Sequence, residues 1–223
     1  MPSVDRRLYD AAVQRTSASG SRLLVPVKSF AQAKGRLADV LSPDQRSALM
    51  QWMCARVVAA AGDMPVHEVC DDRTVATWAE SCGASVLWSP EQGLDAAVRR
   101  GVAELARLGA DSVVVSHGDL PLAHRFDRLV VDGTVTIVPD RRGDGSNVIV
   151  VPADADFAFA YGRRSFERHV SRAVEAGLPL IVRRDPLLAL DVDTPDDLFH
   201  PLIQEALPAW LRTNPANPHR KPD

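Results

Sequence analysis

The alternation of short, strand-length apolar runs with longer amphipathic runs constrains this chain more than any other feature. Ser112-Val113-Val114-Val115-Ser116 is almost entirely β-branched and bounded by turn residues, the pattern of a buried strand. Residues 23–27, 66–70, 84–88, 134–138 and 148–151 read as further strands, and 187–192 as the last one. Between them, Ser42-Pro43-Asp44-Gln45 sets an N-cap serine before proline at the first helical position and glutamine at the third. This capping box predicts a helix running to about Ala61. Further helices are predicted over 72–81, over 93–108 with Gly109 as its stop, over 165–176 with Gly177 as its stop, and from Thr194-Pro195 to about Ala206. Strands alternating with helices imply an α/β fold: a mostly parallel sheet with helices on both faces. There is no internal repeat and no interdomain linker. Residues 22–206 therefore read as one domain, with a Gly/Ser-bearing tail over 1–21 and a proline-rich tail over 207–223.

Composition narrows the function classes. A chain of 223 residues can bury roughly 70–75% of its unfolded surface, so it needs no disulfide or metal to fold. Lys plus Arg is 26 against 29 for Asp plus Glu, a balance that predicts no nucleic-acid partner. No apolar run approaches the ~20 residues of a membrane span, and the N-terminus carries no apolar signal core. Cys54, Cys70 and Cys82 are odd in number, widely spaced and in no C-x-x-C pair, which suggests neither a disulfide framework nor a zinc site. The expectation is a soluble, reduced, cytoplasmic protein. An anionic small substrate would then need locally placed cations to hold it.

Ligands of such sheets bind beyond the carboxyl ends of the strands, so the segments that follow the strands matter most. The first, Pro26-Val27-Lys28-Ser29-Phe30-Ala31-Gln32-Ala33-Lys34-Gly35-Arg36-Leu37, brings three cations, Lys28, Lys34 and Arg36, just past a strand end. It is neither G-x-G-x-x-G nor a Walker A loop. It suits a polyphosphate, or is a solvated basic loop. In His117-Gly118-Asp119-Leu120-Pro121, the carboxylate of Asp119 follows the buried strand and is placed to hold Mg²⁺ over phosphates, or is a plain turn aspartate. Asp191 and Asp193, two apart, share one face of an extended segment and repel unless a cation or hydrogen bonds compensate; Asp196 and Asp197 read as helix-capping acids only. The stretch 139–147 can offer backbone N–H groups and the Ser146 hydroxyl to an anion, or is a plain hairpin turn. Tyr161-Gly162-Arg163-Arg164-Ser165 leads a helix with Ser165 as its natural N-cap, a place that attracts phosphate or carboxylate, or a simple cap with no ligand. Gly93-Leu94-Asp95 opens the long helix and could lie against a base or ribose. Trp52, Trp78 and Trp88 read as packing residues.

In this order, these stretches resemble the family of phospholactate or phosphoenolpyruvate guanylyltransferases of coenzyme F420 biosynthesis. The resemblance rests on P-V-K-x-x-x-x-A-K-x-R-L, S-P-D-Q-R, G-L-x-A-A, G-D-L-P, P-D-R-x-G-x-G-S-N, Y-G-x-x-S-F-x-x-H and L-D-V-D-T-P-D-D-L, over about residues 22–200. It implies a GT-A-like nucleotidyltransferase fold, GTP and a small phosphorylated carboxylic acid as substrates, and Mg²⁺ as cofactor. Carried over by motif, Pro26, Val27, Lys28, Lys34, Gly93, Leu94 and Asp95 would hold the nucleotide, with Arg36 beside its phosphates. Asp119 and Asp193, with Asp191, would hold the metal, and Ser146, Gly162 and Ser165 the acceptor. Asp95 stands where the family usually has Asn, Asp144 where it often has Thr, and Ser146 keeps the hydroxyl of a frequent Thr; His169 fits the family pattern. The resemblance also admits a homodimer and hand-over of a labile product to the next transferase. A GT-A glycosyltransferase, another sugar or cofactor nucleotidyltransferase, and a catalytically idle nucleotide-binding homologue are the rival readings.

Overall fold

The computed structural model describes residues 20–90 and 93–212. Among them, seven strands form one sheet: β1 (Ser21–Pro26), β2 (Val66–Cys70), β3 (Ser85–Trp88), β4 (Ser112–Ser116), β5 (Val135–Pro139), β6 (Ser146–Pro152) and β7 (Leu180–Val182), in the order β3-β2-β1-β4-β6-β5-β7. Strands β3, β2, β1 and β4 run parallel, β6 is antiparallel to both neighbours, and β7 is parallel to β5. The sheet is thus mostly parallel, as the sequence predicts.

Both faces are covered, which explains the unbroken apolar runs of the central strands. On one face, Leu23, Val25, Val114, Val148 and Val150 pack with Leu49, Met53 and Val57 of helix α1 (Pro43–Ala60). On the other, Leu24, Val113, Val115, Ile137 and Ile149 meet Val98, Val102 and Leu105 of α3 (Leu94–Arg107) and Ala173 of α4 (Ser165–Glu175). Gly101 sets the approach of α3: a Cβ there would stand 2.7 Å from the Leu24 side chain. Helix α2 (Arg73–Ser81) lies against β2 and β3, its start capped by the Asp72 carboxylate, which accepts the N–H of Thr74 and Val75. The capping box at Ser42 and Gln45 is formed, with both reciprocal hydrogen bonds in place.

Three expectations change near the C-terminus. Residues 187–192 form no strand. The Asp185 carboxylate accepts the N–H groups of Leu187 and Leu188 and winds the chain into a turn, while Leu188, Leu190 and Val192 are buried as loop residues. The sheet's last strand is β7 instead. The predicted helix from Thr194 to Ala206 divides into α5 (Pro195–Leu198) and α6 (Pro201–Ala206), because Pro201 carries no N–H to continue the first ladder. The packed chain does not stop at Ala206: α7 (Ala209–Arg212) follows, with Leu207 and Leu211 buried in the α1-side core. At the other end, Ser21 already pairs with Ser112, so β1 takes in the last residue of the expected tail. The rest of the tail regions, 1–19 and 213–223, lies outside the described residues.

Candidate active site

The strand order turns back between β1 and β4, and the segments after these strands meet at that edge. Gly118, just beyond β4, has to be glycine: a Cβ would stand 2.7 Å from the Cys54 sulfur. This close approach seats Asp119 over α1. The Lys34 ammonium donates to Asp119 Oδ2 at 2.5 Å and to Asp193 Oδ1 at 2.8 Å, so residues 85 and 159 positions apart share one charge. Lys34 itself holds a left-handed backbone (φ 57°), which turns its side chain into the group ahead of a short 3₁₀ turn, Gly35–Leu37. Arg36 lies 3.9 Å from Asp193 with its side chain 76% exposed, a screened contact of little strength.

Asp191 completes the cluster: one oxygen from each of Asp119, Asp191 and Asp193 lies within 4.8 Å of the others. Burial, then the charges of Asp119 and Asp193, push the Asp191 carboxyl up to about 6. Burial works against ionising Asp119, yet the Lys34 ammonium holds it below the usual carboxylate range. Burial likewise opposes the charge on Lys34, and the two carboxylates more than restore it. Three acids against one buried ammonium leave a negative excess, and Asp119 Oδ1 has no hydrogen-bond partner among the described residues. Carboxylates so placed suit a hard divalent cation such as Mg²⁺.

Beside this cluster, a cavity of about 270 Å³ opens beyond β1, β2 and β3. It is lined by Pro26, Val27, Lys28, Gly93 and Leu94, all singled out in the sequence, together with Cys70, Asp71 and Ser89 among others. A larger hollow, about 790 Å³, lies near the start of β2 between Met64, Pro65 and His124, and contains none of the motif residues. Asp95 does not line the 270 Å³ cavity. Its carboxylate accepts the N–H of Tyr161 at 2.7 Å, tying the start of α3 to the loop before α4.

That loop belongs to a third group. Ser146 and Ser165 are buried side by side, the N–H of Ser146 donating to Ser165 Oγ at 3.2 Å. Ser165 N–H donates to the Gly162 carbonyl, so all three expected acceptor residues are brought together. Ser165 is not the cap, however. Arg164 takes that position in a left-handed conformation, and Ser165 is the first helical residue. The backbone donors foreseen for an anion are largely satisfied within the protein. Asp140 accepts from Asp144 and Gly145, while Asp144 accepts from Arg164 and Phe166. Residues 140–145 are therefore the turn of the β5–β6 hairpin. A bulge follows, because Val138 pairs with Val148 and Pro139 with Ser146. The extra residue turns Asn147 toward Leu188 and Asp191, leaving Ser146 to face α4.

Asp197 proves more than a capping acid. It caps α5 with Thr194, but its buried carboxylate also accepts from Arg141 at 2.6 Å and Arg142 at 2.7 Å. Burial opposes this ionisation, yet the Arg141 and Thr194 hydrogen bonds hold the carboxyl down at about 2. Among the residues that sequence reasoning did not place, Ser89, Cys70 and Asp71 carry no motif signal. Asn147 and His169 were within quoted motifs, but only the bulge and the helix packing reveal their partners.

The sequence matches the guanylyl transferase CofC-like family over residues 21–205. It is 37% identical over 218 residues to the phosphoenolpyruvate guanylyltransferase of Conexibacter woesei, covering 87% of this chain and 98% of that protein. It is also 37% identical over 185 residues to the protein of the same name from Sphaerobacter thermophilus, covering 78% and 89%. In fold, it is similar to a Desulfovibrio desulfuricans G20 protein provisionally assigned as a nucleotide-diphospho-sugar transferase (TM-score 0.64, 17% identity, covering 89% and 92%). It is similar, too, to a nucleotidyl transferase from Methanothermobacter (TM-score 0.56, 17% identity, covering 79% and 93%).

Proposed function

Because the chain belongs to the guanylyl transferase CofC-like family and is a nucleotidyltransferase, we propose that it moves GMP from GTP onto the phosphate of phosphoenolpyruvate, with release of pyrophosphate. One observation carries this reading: Lys34, Asp119 and Asp193 converge at the sheet's carboxyl edge, with the 270 Å³ cavity and the serine pair close by in the same strand-end region. The names of the relatives support phosphoenolpyruvate over 2-phospholactate or 3-phosphoglycerate.

In this scheme, the cavity beyond β1–β3 takes the guanosine, with Lys28 directed to the phosphates. Ser146, Gly162 and Ser165 take the acceptor. The acceptor's phosphate has a second pKa of ~6, so at pH 7 it is largely a dianion and needs no general base. One of its oxygens forms a bond to the α-phosphorus of GTP as the bond to the bridging oxygen of the leaving pyrophosphate breaks. Catalysis is then orientation and charge neutralisation, supplied in part by the Lys34 ammonium. Asp119, Asp193 and Asp191 would hold Mg²⁺, which when bound supplies further neutralisation of the phosphates. The product, a guanylylated three-carbon acid, would serve coenzyme F420 biosynthesis in the cytoplasm and pass to the next transferase.

The test is direct: purified protein, GTP, Mg²⁺ and each of the three acids, with pyrophosphate and product mass recorded. A parallel arm contains the next transferase to trap a labile product. The expected result is pyrophosphate release that depends on phosphoenolpyruvate. Absence of release with every acid in both arms would overturn the reading.

A further inference from the structure

His169, fully buried on α4, has both ring nitrogens engaged. The backbone N–H of Ala160 points at Nε2 from 2.9 Å, and Ser146 Oγ lies 3.0 Å from Nδ1. A backbone N–H can only donate, so Nε2 must be the bare, accepting nitrogen. The ring proton therefore sits on Nδ1 and donates to the Ser146 hydroxyl oxygen. The ring cannot turn over easily, since Tyr161 meets it edge-on with centroids 4.9 Å apart and Phe157 and Phe159 crowd its other sides. Burial, and then the charges of Arg168 and His117, lower its pKa to about 4, so the ring stays neutral near pH 7.

The consequence falls on Ser146. Its oxygen already accepts, so its own proton is left to be donated, and no acceptor for it stands among the described residues. Ser165 is in the same state: its oxygen accepts the Ser146 N–H, and its proton has no described acceptor. Two neighbouring hydroxyls, each accepting one bond and keeping a proton to donate, match an atom that can only accept, such as an anionic oxygen. We propose that His169 is a positioning residue that fixes the Ser146 hydroxyl as a donor to a carboxylate or phosphate oxygen of the acceptor acid. This rests on the acceptor assignment proposed above.

Two substitutions separate the halves of the ring. His169→Asn can set an amide N–H where Nδ1–H was, keeping the bond to Ser146 and losing Ala160. His169→Gln sets its amide near the Nε2 position, keeping Ala160 and losing Ser146. With phosphoenolpyruvate as acceptor and GTP saturating, Ser146→Ala and His169→Gln should each raise the acceptor KM on the order of tenfold. His169→Asn should stay within about twofold, and the GTP KM should hold in all three. The Ser146→Ala, His169→Gln double variant should be no worse than Ser146→Ala alone, as expected for residues acting through one another. Nitrogen-15 NMR of the ring in the unsubstituted protein should find the proton on Nδ1. Equal effects of Asn and Gln, additive losses in the double variant, or a proton on Nε2 would each overturn the proposal, the last without any folded variant being needed. If Ser146→Ala raises the acceptor KM while His169→Gln does not, the positioning role alone fails. An unchanged KM in Ser146→Ala removes the acceptor assignment and this role with it.

Discussion

At the scale of residues, the cluster around Lys34 sets one ammonium against three carboxylates in a setting where charge is poorly screened. Asp119 is the most enclosed of the acids, its side chain only 14% exposed, and depends on Lys34 to remain ionised. Asp119→Asn and Asp193→Asn should each abolish guanylyl transfer while leaving the chain folded, since Asn keeps the shape and Lys34 retains its other carboxylate in either variant. Loss of charge stabilisation at a phosphoryl centre is worth several kcal/mol, far more than the change in packing. Near-normal turnover of either variant at saturating Mg²⁺ would remove these carboxylates from the reaction. Lys28 poses a different question, because it is exposed and lines the cavity rather than the acid cluster. Lys28→Ala should weaken GTP several-fold more than GMP in a binding titration, the extra loss coming from the outer phosphates. Equal losses would make it a solvated loop cation. The carboxylates at positions 119, 191 and 193 could be read from the sequence because each follows a recognisable segment in a familiar order. The pairing of Asp197 with Arg141 and Arg142 could not, since charges 56 and 55 residues apart carry no local signal.

At the scale of elements, periodicity and capping chemistry were enough wherever a segment's partners lie within it. The Ser42 box is such a case, and its worth can be measured: Ser42→Ala should lower the unfolding free energy by about 1 kcal/mol, read by urea denaturation with an unchanged slope. A change below a few tenths would mean that burial of Leu49, Met53 and Val57 holds α1 without its cap. Strands β1 to β6 were legible because β-branched runs bounded by turn residues have few alternatives in a sheet covered on both faces. Strand β7 was not. Three residues at a sheet edge make too short a run, whereas residues 187–192 imitate a strand because a loop buried against the core must also be apolar. Periodicity cannot separate those two cases. The bulge after Val138 was equally invisible, and it decides that Ser146 faces His169 while Asn147 faces Asp191. The site's residue types were therefore readable, but the directions in which they point were not.

At the scale of the whole molecule, two buried carboxylates pull global stability in opposite directions with pH. Asp197 has its pKa lowered to about 2 from an ordinary 3.8, so it favours the folded state above pH 4, and that contribution disappears as pH falls toward 2. Glu68 behaves in the reverse sense. It sits on β2 between Val25 of β1 and Val86 of β3, with neither carboxylate oxygen hydrogen-bonded among the described residues, and burial raises its pKa to about 8 from 4.5. Below pH 4.5 it is protonated in both states and stability is unaffected. Between 4.5 and 8 the unfolded chain ionises it and the folded chain does not, so stability declines as pH rises, by at most about 1.4 kcal/mol per pH unit. Glu68→Gln keeps the shape and neutrality of the protonated acid and has no proton to lose. Its stability should match that of the unsubstituted protein near pH 4.5 and exceed it by on the order of 2 kcal/mol at pH 7.5, with urea denaturation at each pH as the measurement. Asp197→Asn should show the opposite pattern, destabilised at pH 7 by loss of the Arg141 and Arg142 pairs, with the gap narrowing as pH falls below 4. Parallel stability curves for Glu68→Gln and the unsubstituted protein from pH 4.5 to 8 would mean that Glu68 ionises normally in the folded chain, with water or a rearranged neighbour reaching its carboxylate.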